Sequence, residues 1–307
     1  MSFTYFDVQP VAGRIGAEIG GVDLSTNLSD SLIGEIRKAL IQYKVIFFRG
    51  QSLDEAGQVA FARRFGELTI AHPTVPGHIP EHPEIFDLDY RRQQAFTDHW
   101  HTDVTFVDRP PLGSILRAVI IPPYGGDTVW ANTVTAYEDL PPHLKSLVEQ
   151  LWVVHTNDND YADDTVDVSE ASRKYSKVFQ STIYETIHPA VRVHPESGER
   201  SLLLGGFARR IKGLSSSGSF DTLKLLQSYV TRLENTVRWR WQVGDIAFWD
   251  NRSTQHYAIA DYGAQPRRVQ RVTIAGDIPS SIDGNRSQSL KGDSSEYIPN
   301  QPAAASV

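Results

Sequence analysis

The chain has 307 residues, 30 Lys+Arg against 37 Asp+Glu for a formal net charge of −7, and no cysteine. That length allows one large domain or two ordinary ones, and the lack of thiols excludes a disulfide framework, thiolate-held metals and a cysteine nucleophile, so any metal must sit on His, Asp or Glu. The acidic balance argues against nucleic-acid or membrane-surface partners, the opening MSFTYFDVQPVAGRIG lacks a signal-peptide pattern, and no apolar run reaches the roughly 18 residues of a membrane helix, so a soluble cytoplasmic protein is expected.

In chain order, Leu32, Ile36 and Leu40 fall at helical spacing within 29–44, with Ser29 or Asp30 as the cap. VIFF at 45–48 follows as a strand, and Ser52 with Glu55 has the form of a capping box opening a second helix that stops at Gly66. Residues 67–98 are Pro- and His-rich and read as a long loop, a kind of segment that is more often functional than idle. Strands are expected over 112–122 and 128–133 around the turn PYGGD, then a helix over 135–151. Residues 154–167 are acidic and turn-forming, and 190–204 read as a hairpin about ESGE. A helix over 220–234, strands through VRWRW and IAFW, and a last strand over 267–277 complete the set. The stretch 280–307 is rich in Ser, Gly, Asn, Pro and Ala and is expected to be a poorly ordered tail. This pattern predicts one mainly β domain over 1–279 with flanking helices, a barrel or double-sheet jelly roll.

Three local features carry chemistry. In WHTDVTF, His101 and Asp103 are two apart, so on an extended segment both leave one face and could share a metal; a surface His–Asp pair satisfies the same pattern. His256 follows an apolar strand and turn in WDNRSTQHYA, which also suits a structural histidine. Arg267 and Arg271 lie four apart on the last strand and share a face, suited to bidentate anion recognition or to solvated surface charge.

Taken together, a His-x-Asp, a distant His and an Arg eleven residues beyond it form the signature of non-haem iron oxygenases that use 2-oxoglutarate. Two His and one carboxylate occupy one face of Fe(II) and leave positions open for the ketoacid and O2. The chain resembles the taurine dioxygenase family, and within it the bacterial alkylsulfatases of the oxygenase type. The resemblance runs from GRIGAEIGGVDL to TIAGDIP through VIFFRGQ, WHTDVTF, YGGDTVWANT, HPAVRVHPESGERSLLL and VRWRWQVGDIAFWDNRSTQHYAIADY. It implies a double-stranded β-helix, a cupin-like jelly roll, with a homodimer or homotetramer as the assembly. It implies His101, Asp103 and His256 as iron ligands, and Thr128 and Arg267 as partners of the distal carboxylate of 2-oxoglutarate. It further implies Arg271, His72 and the backbone N–H of Val104 as contacts of a small anionic substrate, with Phe106 and Phe207 as pocket walls. Two positions depart from the taurine-specific pattern: Val75 stands where that pattern has Tyr, and Thr97 where it has Asn. Both changes remove polar partners of the taurine amine, and HTNDNDY at 155–161 also looks like the alkylsulfatase members. The implied reaction is hydroxylation of the carbon beside a sulfate ester oxygen. The alternatives are the same chemistry on sulfonates or aryloxyalkanoates, and a metal or metabolite binder without turnover, whose signature would be a missing ligand. The loops at 67–98 and 155–180 are expected to be lids.

Overall fold

The first strands, β1 (Asp7–Pro10) and β2 (Ala17–Gly20), form an antiparallel pair at one edge of the largest sheet. The chain is described by a computed structural model over residues 3–77, 79–90, 98–158 and 170–298, without the side chains of 170–172. Thr97, the 91–97 and 159–169 portions of the two expected lids, and residues 299–307 lie outside it. Helix α1 (Asp30–Tyr43) starts where expected, with the Ser29 side chain accepting from the Leu32 N–H, and buries Ile33, Ile36, Ala39 and Leu40. It leads into β3 (Val45–Phe48). Helix α2 (Glu55–Arg63) is capped by Asp54, which accepts from the Gly57 N–H at 2.7 Å, and not by the expected Ser52–Glu55 box. An aspartate there also meets the positive end of the helix dipole, and Glu55 pairs instead with Arg117 at 3.1 Å.

The remaining strands of the large sheet are β4 (Ile85–Asp89), β5 (Gly113–Ile120), β13 (Ile246–Asp250) and β15 (Arg268–Ile274), in the order β1-β2-β3-β13-β5-β15-β4. Opposite them lie β6 (Thr128–Asn132), β12 (Thr236–Trp239) and β14 (Thr254–Ala258) in the order β12-β6-β14. A further sheet joins β7 (Trp152–Thr156), β8 (Glu185–Pro189), β11 (Ala208–Ile211) and β16 (Gln288–Lys291) as β11-β7-β8-β16. The predicted hairpin is present as β9 (Val191–Val193) and β10 (Arg200–Leu202). This is the expected double-stranded β-helix, or jelly roll, with helices α3 (Thr133–Glu138), α4 (Pro142–Val148), α5 (Glu170–Phe179) and α6 (Ser216–Val230) around it. No helix among the described residues is long and apolar enough to cross a membrane.

Strand alternation explains why VIFF and IAFW are apolar throughout. Ile46, Phe48, Ile246 and Phe248 face α1 and α2, whereas Val45, Phe47, Ala247 and Trp249 face the second layer and pack with Trp130, Val237 and Trp239. Both faces of the central strands are therefore dry.

Several expectations are corrected. The single helix over 135–151 is two, because Pro141 and Pro142 cannot continue α3 and Pro142 instead opens α4. Strand β4 lies inside the expected 67–98 loop. Its Asp87 takes two hydrogen bonds from Arg268, a tertiary contact that offsets a poor strand former. Strand β7 covers part of the expected turn segment at 154–167. The tail expected from residue 280 is ordered through 298: β16 pairs with β8, and Tyr297 is 2% exposed.

Candidate active site

The site forms where the segment that begins at His101 meets the middle of β14. His101 and His256 form an isolated antiparallel bridge, each N–H donating to the other's carbonyl at 3.0 and 2.8 Å. This places the imidazole rings 4.2 Å apart between centroids. Asp103 does not reach them by strand alternation, as the sequence had suggested. The chain turns after Thr102, and Val104 adopts φ 52°, a left-handed conformation rare for a β-branched residue and a mark of a constrained site. The turn puts Asp103 Oδ1 3.8 Å from His256 Nε2 and 4.0 Å from His101 Nε2. One donor atom from each of the three residues lies within 4.8 Å of the others, and all three residues are buried.

Neighbouring groups fix the orientation and charge of each ligand candidate. His101 Nδ1 donates to the His99 carbonyl at 2.9 Å, which leaves Nε2 as a lone-pair donor. His256 Nδ1 is buried without a hydrogen bond among the described residues. Burial lowers the pKa of both imidazoles, so both are neutral. Burial pushes the Asp103 carboxyl up, but the charge of the Arg271 guanidinium and the Ser114 hydroxyl oppose it, and the carboxyl is held at about 2. Asp103 Oδ1 accepts from Arg271 Nη1. Asp103 Oδ2 accepts from Ser114 Oγ at 2.7 Å, and Ser114 is held in turn by Asn251 at 2.8 Å. Two neutral imidazoles and one anionic carboxylate are already in the protonation states that a divalent first-row metal requires. The donor set therefore fits Fe(II).

Two arginines reach this site from β15 and the residue before it. Alternation sends Arg267, Val269 and Arg271 inward, whereas Arg268 pairs outward with Asp87. Both inward arginines border one cavity, together with His101, His256 and Thr128. β15 is an inner strand of its sheet, so neither is a solvated edge charge. Arg267 is 2% exposed. It donates from Nε to the Gly126 carbonyl at 3.2 Å, and its guanidinium lies over the rings of Tyr90 and Tyr262 at 5.3 and 5.9 Å. No carboxylate pairs with it among the described residues. Thr128 accepts from Trp241 Nε1 at 3.0 Å, so its own hydroxyl proton is available to a ligand. Gly126 has φ +71°, and a Cβ there would meet Arg267 at 3.1 Å, so this turn needs glycine both for conformation and for space.

The other predicted contacts gather on the far side. His72 is buried, and its Nδ1 accepts from the N–H groups of Thr74 and Val75 at 3.2 and 3.1 Å. Its proton therefore sits on Nε2. Burial, then the nearby Arg271 charge, lowers its pKa to about 3, against a partial offset from Asp103. His72 is thus a neutral N–H donor beside a cation. The Val104 N–H makes no hydrogen bond among the described residues. Phe106 and Phe207 pack edge to face at 4.9 Å, and Phe207 also meets the His101 ring at 6.2 Å.

Several members of this site left no signal in the sequence. Phe179, on α5, stacks on Phe207 and tilts against His72. Phe86 comes from the unexpected strand β4 and lies under Arg271. Ser114 and Asn251 are ordinary polar residues whose importance comes only from contact with Asp103 and with each other. The expected loop histidine and core aromatics were legible; their convergence was not.

A model of the family described as "Taurine catabolism dioxygenase TauD, TfdA family" matches residues 7–273. The chain is 54% identical over 287 residues to an alpha-ketoglutarate-dependent sulfate ester dioxygenase of Pseudomonas putida, covering 93% of this chain and 94% of that protein. It is 52% identical over 279 residues to an alkylsulfatase of Acinetobacter baylyi, covering 90% and 87%. The solved structure of a taurine dioxygenase from Burkholderia xenovorans superposes with a TM-score of 0.82 at 39% identity, covering 97% of this chain and all of that one.

Proposed function

The chain belongs to the TauD, TfdA dioxygenase family, and we propose that it is an Fe(II)- and 2-oxoglutarate-dependent dioxygenase acting on alkyl sulfate esters. The observation that carries this reading is the buried His101–Asp103–His256 cluster, opening on a cavity that Arg267 and Arg271 also enter. His101, Asp103 and His256 would hold the iron. When bound, Fe(II) with 2-oxoglutarate and O2 supplies an oxidant strong enough to take hydrogen from an unactivated carbon.

The protein's own work is placement. Arg267 and Thr128 hold the distal carboxylate of 2-oxoglutarate with two guanidinium donors and one hydroxyl. Arg271, the His72 Nε2–H and the Val104 N–H converge on the sulfate, three donors from three separate segments. The aromatic wall of Phe106, Phe207, Phe179 and Phe86 takes the alkyl part and excludes water from the reacting carbon. The reacting carbon would be the one bonded to the ester oxygen of the sulfate that Arg271 and His72 hold. Its hydroxylation gives a hemiacetal-like ester, whose C–O bond breaks to leave an aldehyde and sulfate. One molecule each of 2-oxoglutarate and O2 is consumed, giving succinate and carbon dioxide.

Val75 favours a sulfate ester over taurine. It is 4% exposed inside the apolar cluster with Phe86, Phe106 and Phe207, and offers no hydroxyl to an ammonium group. The same reading places the protein in the cytoplasm as a homodimer or homotetramer, to be checked by fractionation and light scattering.

The test is a panel of alkyl sulfates, taurine, alkanesulfonates and aryloxyalkanoates, scored for O2 uptake, succinate, and sulfate or sulfite. We expect Fe(II)- and 2-oxoglutarate-dependent sulfate release from alkyl sulfates. Turnover confined to sulfonates or aryloxyalkanoates would overturn the substrate, and absence of succinate with every compound would overturn the reaction.

A further inference from the structure

The turn that carries Asp103 is held from outside by groups that the reaction does not use. With φ 52° at Val104, the turn persists only if its neighbours over-determine it. The Phe106 carbonyl accepts from Thr186 Oγ1 at 2.9 Å, and Thr105 supplies two further anchors. Its carbonyl accepts from His188 Nε2 at 2.7 Å, and its hydroxyl meets His155 Nδ1 at 2.9 Å. Both imidazoles are fully buried, with their rings edge to face at 5.0 Å.

A carbonyl oxygen only accepts, so His188 carries a proton on Nε2. Burial lowers its pKa to about 4, so the ring is neutral and Nδ1 must accept. The donor is the Ser287 hydroxyl, 2.7 Å away. The Ser287 hydroxyl also points toward the Pro279 carbonyl at 3.1 Å, and the shorter of its two contacts is to the imidazole. Ser287 comes from the C-terminal segment. The same segment donates from Ser294 Oγ to Asp108 at 2.8 Å, at the far end of the loop, and accepts from the Ile70 N–H at the Tyr297 carbonyl at 3.1 Å, two residues before His72.

We propose that His188, oriented by Ser287, is a positioning residue that holds the 103–107 turn and thereby sets the Asp103 carboxylate for iron and the Val104 N–H for the substrate anion. The substrate half of this statement rests on the proposed function; the metal half rests on the donor geometry. The segment that reads as a tail thus supports the site from behind without lining it.

The test uses the full-length chain with His188→Gln, His188→Leu and Ser287→Ala. Glutamine presents an N–H near the place of Nε2, and leucine presents none. Fe(II) affinity is measured anaerobically by calorimetry, beside KM for an alkyl sulfate, KM for 2-oxoglutarate, and Tm. For His188→Leu we expect Fe(II) affinity to fall about ten-fold or more, the usual scale for a lost partner of a ligand shell. The alkyl sulfate KM should rise, whereas the 2-oxoglutarate KM should hold, because Thr128 and Arg267 lie on other segments. His188→Gln should recover most of the loss, and Ser287→Ala should fall between. Wild-type Fe(II) affinity and KM in His188→Leu or Ser287→Ala would overturn the proposal. So would a loss spread over all parameters that follows Tm and that glutamine does not rescue. If His188→Leu does not fold, Ser287→Ala decides by the same readings. If the wild-type chain releases no sulfate, the functional reading fails, and the Fe(II) titration alone decides the positioning role.

Discussion

Arg267→Ala tests the cosubstrate half of the site. The guanidinium is 2% exposed and its Nε is engaged with the Gly126 carbonyl, which leaves the two Nη groups as the donors for a carboxylate. Two charge-assisted hydrogen bonds at about 1.5 kcal/mol each give about 3 kcal/mol, or about a hundred-fold in affinity. Alanine should therefore raise the KM for 2-oxoglutarate about a hundred-fold and leave the alkyl sulfate KM close to wild type, because Arg271 and His72 are untouched. Lysine should recover only part of this, since its single ammonium cannot present the two-donor fork. The assay is succinate formation against 2-oxoglutarate concentration at saturating alkyl sulfate, repeated with the roles exchanged. A normal 2-oxoglutarate KM with a raised alkyl sulfate KM would show that the two arginines are assigned the wrong way round. No change in either would show that Arg267 meets no ligand.

Asp103→Ala should abolish succinate formation and Fe(II) binding, because a facial triad cannot spare its only anion; retained Fe(II) affinity by calorimetry would remove Asp103 from the metal site. Gly126→Ala should raise the 2-oxoglutarate KM several-fold and lower Tm by a few degrees, since the new Cβ meets Arg267 at 3.1 Å and φ is +71°; unchanged values in both would refute the packing argument. Stability should fall as pH drops from 7 to 5. His72 and His188 have folded pKa values of about 3 and 4, below the ordinary 6.5, so in this window the unfolded chain takes up protons that the folded one does not. His188→Gln should reduce this pH slope in the Tm profile, and an identical slope would show that His188 is not neutral when folded.

How much of this was legible before folding differs from element to element. Helix α1 followed from periodicity because it buries one stripe, and β3 and β13 followed from short all-apolar runs because both of their faces are dry, whereas α5 lies inside the expected 155–180 loop. Strand β4 escaped notice because Asp87 is tolerated there only through Arg268, a partner far along the chain. The split of α3 from α4 was available from the Pro141–Pro142 pair and was outweighed by leucine spacing.

Composition narrowed the metal chemistry to nitrogen and oxygen ligands, because the chain has no cysteine, and the resemblance to a known family singled out His101, Asp103, His256 and the two arginines as candidates. Their protonation states, tautomers and mutual distances belong to the tertiary structure, since each depends on burial and on partners from other strands. The Val104 turn, the Ser114 and Asn251 brace, and the reach of the C-terminal segment to His188 are of the same kind. A local pattern can say which atoms are able to bind, but only long-range packing brings buried donors and acceptors within hydrogen-bonding distance of one another.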